Sequence, residues 1–216
     1  VFPALFKSGD TWVALTEADM DGSFHASRLQ AHSRGGVYRI GTPMAAEVAP
    51  GGALLAQAAT GLRSPWRVLA IGSLATVMDS TLGTDLAAPA IAFDAAKVLP
   101  GHAAWSWGLL KDDATVYAVQ KQFIDYAADM RWDYVLVDAD WDRQIGYAKI
   151  AELAAYAAGK NVGLFLWYNS SGSWNKTTYS PKGKLLTQQQ RAAEFARLAG
   201  MGIKGIKVDF FAGDGQ

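Results

Sequence analysis

The chain has 216 residues, of which 50% are hydrophobic and 19% charged, so it can form a packed core and is not a disordered segment. Twenty basic residues balance twenty acidic ones, which argues against nucleic-acid binding by neutralisation of phosphate groups. The absence of cysteine excludes disulfides, thiolate metal sites and cysteine nucleophiles. No apolar run reaches the ~18 residues of a membrane span, and no signal-peptide pattern opens the sequence.

The first 71 residues are predicted to be rich in β-structure. Short runs with rough alternation of apolar and polar residues are separated by Gly, Ser and Asp, as is typical of strands and turns. These runs are "TWVALTEADM", "SFHASRLQA", "GVYRIGT" and "SPWRVLAIGS". Residues 72–104 have weak periodicity, and we interpret them as a connector.

From residue 105 onward, strand and helix signals alternate. The predicted strands are "AAWSW", "WDYVLVDADWD", "NVGLFLWYNSSG" and the run that ends in "GIKVDFF". They are nearly continuous apolar runs, as expected for parallel strands that are covered on both faces.

Three amphipathic helices are predicted between these strands. The first has one apolar face, which consists of Val116, Val119, Phe123, Ala127 and Met130. The second has Ile145, Ile150, Leu153 and Ala157 on its apolar face, with Asp142 as the expected N-cap. The third begins near Thr187, which has the spacing of a capping box with Gln190.

The resulting order is β-α-β-α-β-α-β. The predicted strand tips Trp107, Asp138, Trp167 and Asp209 follow one another at intervals of 31, 29 and 42 residues. A (β/α)₈ barrel of ~250 residues averages about 31 residues per unit. We therefore predict an α/β fold in which residues 105–216 form the first half of a TIM barrel, with about four β/α units. An open doubly wound sheet is the alternative, but no glycine-rich phosphate loop follows the first strand.

Each predicted strand tip carries a pair of aromatic or polar residues. Because side chains alternate along a strand, residues i and i+2 are expected to face the same way. The pairs are Trp105 with Trp107, Asp138 with Asp140, Trp167 with Asn169, and Lys207 with Asp209. In a parallel barrel these tips meet at the C-terminal mouth, where active sites lie. Aromatic rings and hydrogen-bonding groups together favour a neutral, hydroxyl-rich ligand such as a sugar.

Asp209 is the strongest catalytic candidate. Lys207 lies two residues before it, and a nearby cation favours the ionised carboxylate that a nucleophile needs. The alternative is structural, since acids at strand ends also cap helices or form turns. By the same reasoning, Trp105 and Trp107 are either ligand-binding or core residues.

The second half of the chain resembles the catalytic barrel of glycoside hydrolase family 97, a family of bacterial α-glucosidases and α-galactosidases. The similar stretches are "PGHAAWSWGLLKDD", "QKQFIDYAADMRWDYVLVDADWD", "VGLFLWYNSSGSWN" and "MGIKGIKVDFFAGDGQ". "WVALTEADM" and "SPWRVLAIG" resemble the end of the family's N-terminal β-sandwich domain. The resemblance implies that residues 1–71 are the C-terminal part of that domain.

The resemblance also implies a function. Retaining members of the family carry an aspartate nucleophile in a K-V-D-F-F-like setting, which matches Asp209. We therefore expect a retaining exo-acting α-glycosidase that hydrolyses oligosaccharides or other α-glycosides. The activity that the resemblance favours is that of an α-galactosidase. The expected substrate-binding residues are Lys207, Asp138, Asp140, Trp107, Trp167 and Asn169.

Other properties are implied by the family alone. They are a calcium ion, for which Glu17 is the matching ligand, and a periplasmic or secreted location. The family places the other calcium ligands and the acid/base glutamate in later strands. We thus expect the chain to be an internal fragment, truncated after the fourth barrel strand and inactive by itself.

Three alternatives remain open on sequence alone. The first is an α-glucosidase of the same family, because glucose and galactose differ at a single hydroxyl. The second is a non-catalytic carbohydrate-binding barrel. The third is a structural α/β module in which the acids act only as caps.

Overall fold

The computed structural model describes residues 2–48 and 50–210. These residues form two compact units, residues 2–93 and residues 94–210. The last six residues of the predicted half-barrel, 211–216, lie outside the described residues. No helix in the described ranges has the length and apolar character needed to cross a membrane.

The first unit is built on a three-stranded antiparallel sheet. Its elements are β1 (Ala4–Ser8), β2 (Thr11–Ala18), β3 (Arg28–Leu29), β4 (Ile40–Gly41), β5 (Trp66–Gly72), α1 (Leu74–Met78) and α2 (Leu82–Asp85). The sheet order is β1-β2-β5, and β3 and β4 form a separate two-stranded ladder. A two-residue turn joins β1 to β2, and Gly9 adopts φ 57° there, a sign of φ that glycine accepts without steric cost.

The β-rich prediction for this unit is correct for two of its four runs. "TWVALTEADM" and "SPWRVLAIGS" contain β2 and β5, which pair along seven residues from Trp12↔Gly72 to Ala18↔Trp66. "SFHASRLQA" and "GVYRIGT" contain only the two-residue strands β3 and β4, so most of both runs is not in a strand.

The second unit alternates strands and helices. Its elements are β6 (Ala103–Trp105), α3 (Ser106–Leu110), α4 (Tyr117–Asp129), β7 (Tyr134–Val137), α5 (Trp141–Gln144), α6 (Tyr147–Ala158), β8 (Gly163–Asn169), α7 (Gln188–Gly200) and β9 (Gly205–Asp209). The strands form one sheet in the order β6-β7-β8-β9, and every neighbouring pair is parallel. The predicted α/β class with a parallel sheet is confirmed.

The core of this unit lies between the sheet and its helices. Val135, Val137, Leu164 and Leu166 alternate along β7 and β8 and are at most 1% exposed. They belong to one apolar cluster with Ile124 of α4, Leu153 of α6 and Leu198 of α7. Burial of each such side chain stabilises the fold by about 1.5–3 kcal/mol. The cluster fixes the strands in register and so aligns their carboxyl ends.

Two of the helix predictions need correction. In α4 the fully buried residues are Gln120, Ile124 and Ala127, whereas Met130 is 49% exposed. The buried face of α4 differs from the predicted apolar face because it includes a polar residue, Gln120. The Nε2 of Gln120 donates to Ser106 Oγ at 3.0 Å and to Ala114 O at 2.9 Å, and these hydrogen bonds allow it to be buried. A pattern of apolar residues does not predict that a polar residue such as Gln120 is buried.

The prediction that Asp142 caps α6 is also wrong. Asp142 lies inside the short helix α5, and the N-cap of α6 is Gly146 with φ 81°. The buried face of α6 is as predicted at Ile150, Leu153 and Ala157. The capping box at α7 is confirmed, since the Thr187 side chain accepts from Gln190 N and the Gln190 side chain accepts from Thr187 N.

A buried polar cluster ties α7 to β8 and α6. Oε1 of Glu194 accepts hydrogen bonds from the Tyr168 hydroxyl at 2.5 Å and from the Tyr147 hydroxyl at 2.6 Å. Burial, followed by the hydrogen bond to Glu194, raises the pKa of both tyrosines, so both stay protonated as donors. The guanidinium of Arg197 lies 3.3 Å from the centroid of the Tyr147 ring. These contacts explain how a carboxylate is accommodated behind the sheet.

Candidate active site

The four parallel strands bring their carboxyl ends to one edge of the sheet, and a cleft of about 250 Å³ opens there. Sites in parallel α/β folds form at this edge because loops from successive strands converge on it. The residues that line the cleft are Trp105, Trp107, Asp112, Asp138, Ala139, Trp167, Tyr179, Lys207, Asp209 and Phe210.

Asp209 is the last residue of β9, and its side chain is 47% exposed. Its Oδ2 accepts a hydrogen bond from Trp167 Nε1 at 3.2 Å, and its Oδ1 accepts one from Phe210 N at 3.0 Å. An ionised carboxylate can accept about four hydrogen bonds. Asp209 is thus held in one orientation and still has lone pairs open to the cleft.

Lys207 places one cation between two carboxylates. Its Nζ lies 3.3 Å from Asp138 Oδ2 and 3.9 Å from Asp209 Oδ2. The same ammonium group lies 4.4 Å from the centroid of the Trp105 ring, within the range of a cation–π contact. Lys207 and Asp209 share this edge because they are two residues apart on one strand.

Asp138 is only 3% exposed, and it accepts hydrogen bonds from three donors. Its Oδ2 accepts from Trp105 Nε1 and from Lys207 Nζ, and its Oδ1 accepts from Ala139 N at 2.8 Å. These bonds connect the end of β7 with β6 and with β9, the two outer strands of the sheet. A buried carboxylate needs such partners, because an unpaired one costs several kcal/mol.

Aromatic rings form two walls of the cleft. Trp105 and Trp107 stack with centroids 5.0 Å apart and an interplanar angle of 21°. Tyr179 and Phe210 form the second stack at 5.9 Å and 16°, and Trp167 meets both of their rings edge-on. Flat apolar walls with carboxylates between them can bind both the C–H faces and the hydroxyls of a sugar.

Five of the sequence-predicted site residues meet in this cleft. They are Asp209, Lys207, Asp138, Trp107 and Trp167. The strand position predicted for Trp107 is wrong, however. Strand β6 ends at Trp105, and Trp107 reaches the cleft from helix α3.

Asp140 and Asn169 do not line the cleft. Strand β7 ends at Val137 and Asp140 is left-handed with φ 68°, so the predicted common face of Asp138 and Asp140 is wrong. The carboxylate of Asp140 accepts from Ser180 N at 2.8 Å. Asn169 is fully buried, and its Nδ2 donates to Tyr179 O at 3.2 Å. Both residues anchor the loop that follows β8.

Sequence reasoning missed Asp112, Tyr179 and Phe210 as lining residues. Asp112 lies in a turn after α3, and Tyr179 lies in the long loop between β8 and α7. Hydrophobic periodicity cannot predict where residues in turns and loops lie. Phe210 directly follows Asp209, and its position next to the predicted nucleophile is the one signal that pointed to it.

Comparisons with known proteins agree with this geometry. Residues 101–216 match the family described as Glycoside hydrolase 97, and residues 1–89 match the one described as Glycosyl-hydrolase 97 N-terminal. The chain belongs to glycoside hydrolase family 97.

Two curated relatives of this family 97 chain are named as retaining α-galactosidases. The protein of Streptomyces bingchenggensis, a "probable" one, is 32% identical over 99% of this chain, and that of Bacteroides thetaiotaomicron is 27% identical over 70%. The matched regions cover 32% and 23% of those proteins, so the chain spans a third of their length or less. A crystal structure of a β-arabinopyranosidase is also similar, with a TM-score of 0.86 and 36% identity over 99% of this chain and 34% of that protein.

The described residues alone do not form a binding site for the calcium ion that family 97 implies. No group of three or more His, Cys, Asp or Glu side chains in residues 2–48 and 50–210 is arranged to hold a metal. Glu17 lies on β2 in the first unit, opposite Arg67 of β5. Its carboxylate forms an ion pair with the Arg67 guanidinium. Glu17 is therefore engaged by a cation of the protein itself.

The Lys207 contacts predict a stability effect. Replacing this lysine by methionine removes the cation from Asp138, which stays buried. Because Lys207 is itself 31% exposed, we expect Lys207→Met to lower the free energy of unfolding by about 1–3 kcal/mol, less than for a fully buried pair. Denaturant titration of the purified protein measures this.

Lys204→Met serves as the control, since that lysine is exposed and lies outside the cleft. The double variant Asp138→Asn/Lys207→Met should lose less free energy of unfolding than the two single variants lose together. The reason is that Asp138→Asn removes the buried charge that Lys207→Met leaves unpaired. Equal effects of Lys204→Met and Lys207→Met would contradict the proposed role of this ion pair in stability.

Proposed function

We propose that the protein is a retaining α-glycosidase that acts on terminal α-linked sugars, with Asp209 as its nucleophile. The observation that carries the proposal is a half-exposed carboxylate at the tip of β9, oriented by Trp167 and accompanied by Lys207. The names of two family relatives as retaining α-galactosidases support the same assignment.

In the proposed reaction an Asp209 oxygen attacks the anomeric carbon of the sugar. The bond from that carbon to the leaving oxygen breaks, the oxygen keeps the electron pair, and a general acid protonates it. A water molecule then hydrolyses the glycosyl-aspartate ester and restores the carboxylate, so the product keeps the configuration of the substrate. Trp167 Nε1 holds one carboxylate oxygen and thereby directs the other lone pairs toward the cleft.

We expect the general acid to come from outside the described carboxylates of the cleft, as the family resemblance implies. Retaining hydrolysis needs a second carboxyl group about 5–5.5 Å from the nucleophile. Asp138 is buried and accepts hydrogen bonds from three donors, whereas a general acid must face the leaving oxygen and carry a proton to give away. We therefore expect the 216-residue chain to be inactive by itself.

An α-galactoside is the substrate class that the named relatives favour. A β-arabinopyranoside is the second candidate, because the similar crystal structure carries that name at 36% identity. The β-anomer of L-arabinopyranose has the ring configuration of α-galactose and lacks its C6 group, so one cleft can accept both sugars. An α-glucoside differs from the α-galactoside by the configuration at C4.

We also propose how the chain divides into domains. We assign residues 1–71 to the end of an N-terminal β-sandwich, residues 72–104 to a connector and residues 105–216 to the first half of a (β/α)₈ barrel. Four parallel strands in sequential order, with helices packed on them, support this assignment. The family resemblance also supports a periplasmic or secreted location, which fractionation of cells that produce the full-length gene product can test.

The role of Asp209 is tested with Asp209→Gly in the full-length gene product. We expect turnover of an aryl α-galactoside to fall roughly 10³-fold or more, because the covalent step is lost. Added azide should restore release of the aryl group and form the β-galactosyl azide, since it enters from the face that Asp209 has vacated. Asp113→Gly, at an exposed acid that does not line the cleft, is the control, and it should keep wild-type turnover and give no β-galactosyl azide.

Two results would contradict this assignment. Normal turnover by Asp209→Gly would exclude a nucleophilic role. Proton NMR of the first product formed by the wild-type enzyme should show the α-anomer, and the β-anomer would exclude retention.

Substrate preference is tested by comparing kcat/KM for aryl α-galactoside, aryl β-L-arabinopyranoside and aryl α-glucoside. We expect the α-galactoside to have the highest kcat/KM and the α-glucoside the lowest, because the first two sugars share the configuration at C4. A higher value for the glucoside would favour the α-glucosidase alternative. Sugar binding without hydrolysis of any of the three would favour a non-catalytic binding barrel.

Calcium binding is proposed through Glu17 together with ligands from outside the described residues, because calcium takes six to eight oxygens. Calorimetric titration of the full-length gene product should show weaker calcium binding for Glu17→Gln, by roughly tenfold or more. Asp10→Asn, at an exposed acid of the same unit, is the control. Equal affinity of the Glu17 variant and the wild type would contradict the proposal.

A further inference from the structure

Asp112 is a carboxylate of the cleft to which the proposed reaction assigns no role. It lies in the turn after α3, next to the stacked pair of Trp105 and Trp107. Its Oδ1 accepts a hydrogen bond from Trp107 Nε1 at 2.7 Å. Its Oδ2 lies 3.4 Å from the hydroxyl of Tyr179, which is at the outer limit of a hydrogen bond.

Tyr179 approaches Asp112 from a loop that is firmly anchored. Asp140 accepts from Ser180 N at 2.8 Å, and Pro181 O accepts from Asn169 N at 2.9 Å. Asn169 Nδ2 also holds the carbonyl of Tyr179 itself. The ring of Tyr179 stacks on Phe210, the residue after Asp209, while its hydroxyl reaches Asp112. The tyrosine therefore spans the cleft between the two carboxylates.

The pair has unused hydrogen-bonding capacity that faces the cleft. A carboxylate has about four acceptor positions, of which Asp112 uses one fully and one weakly. The negative charge of Asp112 is the main cause that raises the pKa of Tyr179, so the tyrosine keeps its proton and can donate. A ligand hydroxyl that donates to Asp112 and accepts from Tyr179 would satisfy both groups better than their 3.4 Å contact does.

Asp112 and Asp209 belong to opposite ends of the sheet. Asp112 comes after β6 and Asp209 ends β9, and these are the two outer strands in the order β6-β7-β8-β9. A group bound at Asp112 is thus held from a different strand end than the anomeric carbon that Asp209 attacks. It is either a distal hydroxyl of the sugar being transferred or a hydroxyl of the leaving group.

We propose that Asp112, together with Tyr179, binds a hydroxyl of the glycoside at the β6 end of the cleft and contributes to substrate specificity. This inference rests on the proposed function, because it takes a glycoside as the ligand. It assigns Asp140 and Asn169 to the anchoring of the loop that carries Tyr179.

The test compares Asp112→Asn with wild type in the full-length gene product. Asparagine keeps an oxygen that can accept from Trp107 Nε1, so packing is preserved while the charge is lost. We expect kcat/KM for an α-galactosyl disaccharide, which carries the hydroxyls of both sugars, to fall roughly tenfold to a hundredfold, the value of one hydrogen bond to a charged group. Asp113→Asn, at the adjacent exposed acid, should leave kcat/KM unchanged. Tyr179→Phe should reproduce part of the loss.

Substrates that lack one hydroxyl identify the group that is bound. If a particular deoxygalactoside is hydrolysed equally by Asp112→Asn and wild type, the missing hydroxyl on the transferred sugar is the ligand. If the variant differs from wild type on a disaccharide but not on an aryl glycoside, the hydroxyl belongs to the leaving group. An equal loss on every substrate, or no loss on any, would overturn the inference.

A binding measurement separates this inference from the proposed activity. If wild type hydrolyses none of the glycosides, calorimetric binding of an α-galactosyl disaccharide is measured instead. Weaker binding by Asp112→Asn than by Asp113→Asn would support the role of Asp112 even though the proposed hydrolysis fails. Equal binding by both variants, or no binding by wild type, would overturn it.

Discussion

The cleft depends on one ion pair, between the half-buried ammonium group of Lys207 and the buried carboxylate of Asp138. Asp138 follows β7 and Lys207 lies on β9, so their contact joins two strands that are not neighbours in the sheet. Trp105 donates to the same carboxylate oxygen from β6. Because a buried carboxylate is costly without such donors, the three strand ends are held at fixed distances. The lysine also remains close to Asp209, where it can offset negative charge beside the half-exposed carboxylate.

The polar residues of this edge fall into two groups with different tasks. Asp138, Asp140 and Asn169 have their hydrogen-bonding atoms engaged by the protein and hold loops and strand ends in place. Asp209 and Asp112 have free acceptor capacity that faces the cleft. Asp138 and Asn169 are buried, and a buried polar side chain must find its partners within the fold. Asp209 and Asp112 are the carboxylates with lone pairs left over for the proposed ligand.

The family 97 assignment and this geometry support each other. The matched family region begins at residue 101, just before β6, and it contains every residue that lines the cleft. Aromatic walls on both sides and carboxylates between them suit a neutral sugar.

Sequence alone determined the parallel α/β class, the capping box at Thr187 and the gathering of Asp138, Trp167, Lys207 and Asp209 at one edge. Those results follow from local periodicity and from the rule that parallel strands end on one side. Only the tertiary structure decided that β6 and β7 end early, so that Trp107 reaches the cleft from a helix while Asp140 turns to a loop. It alone brought Tyr179 to Asp112 across 67 residues of sequence. The reason is physical: alternation along a strand is local, whereas the end of a strand and the path of a loop depend on contacts between distant residues.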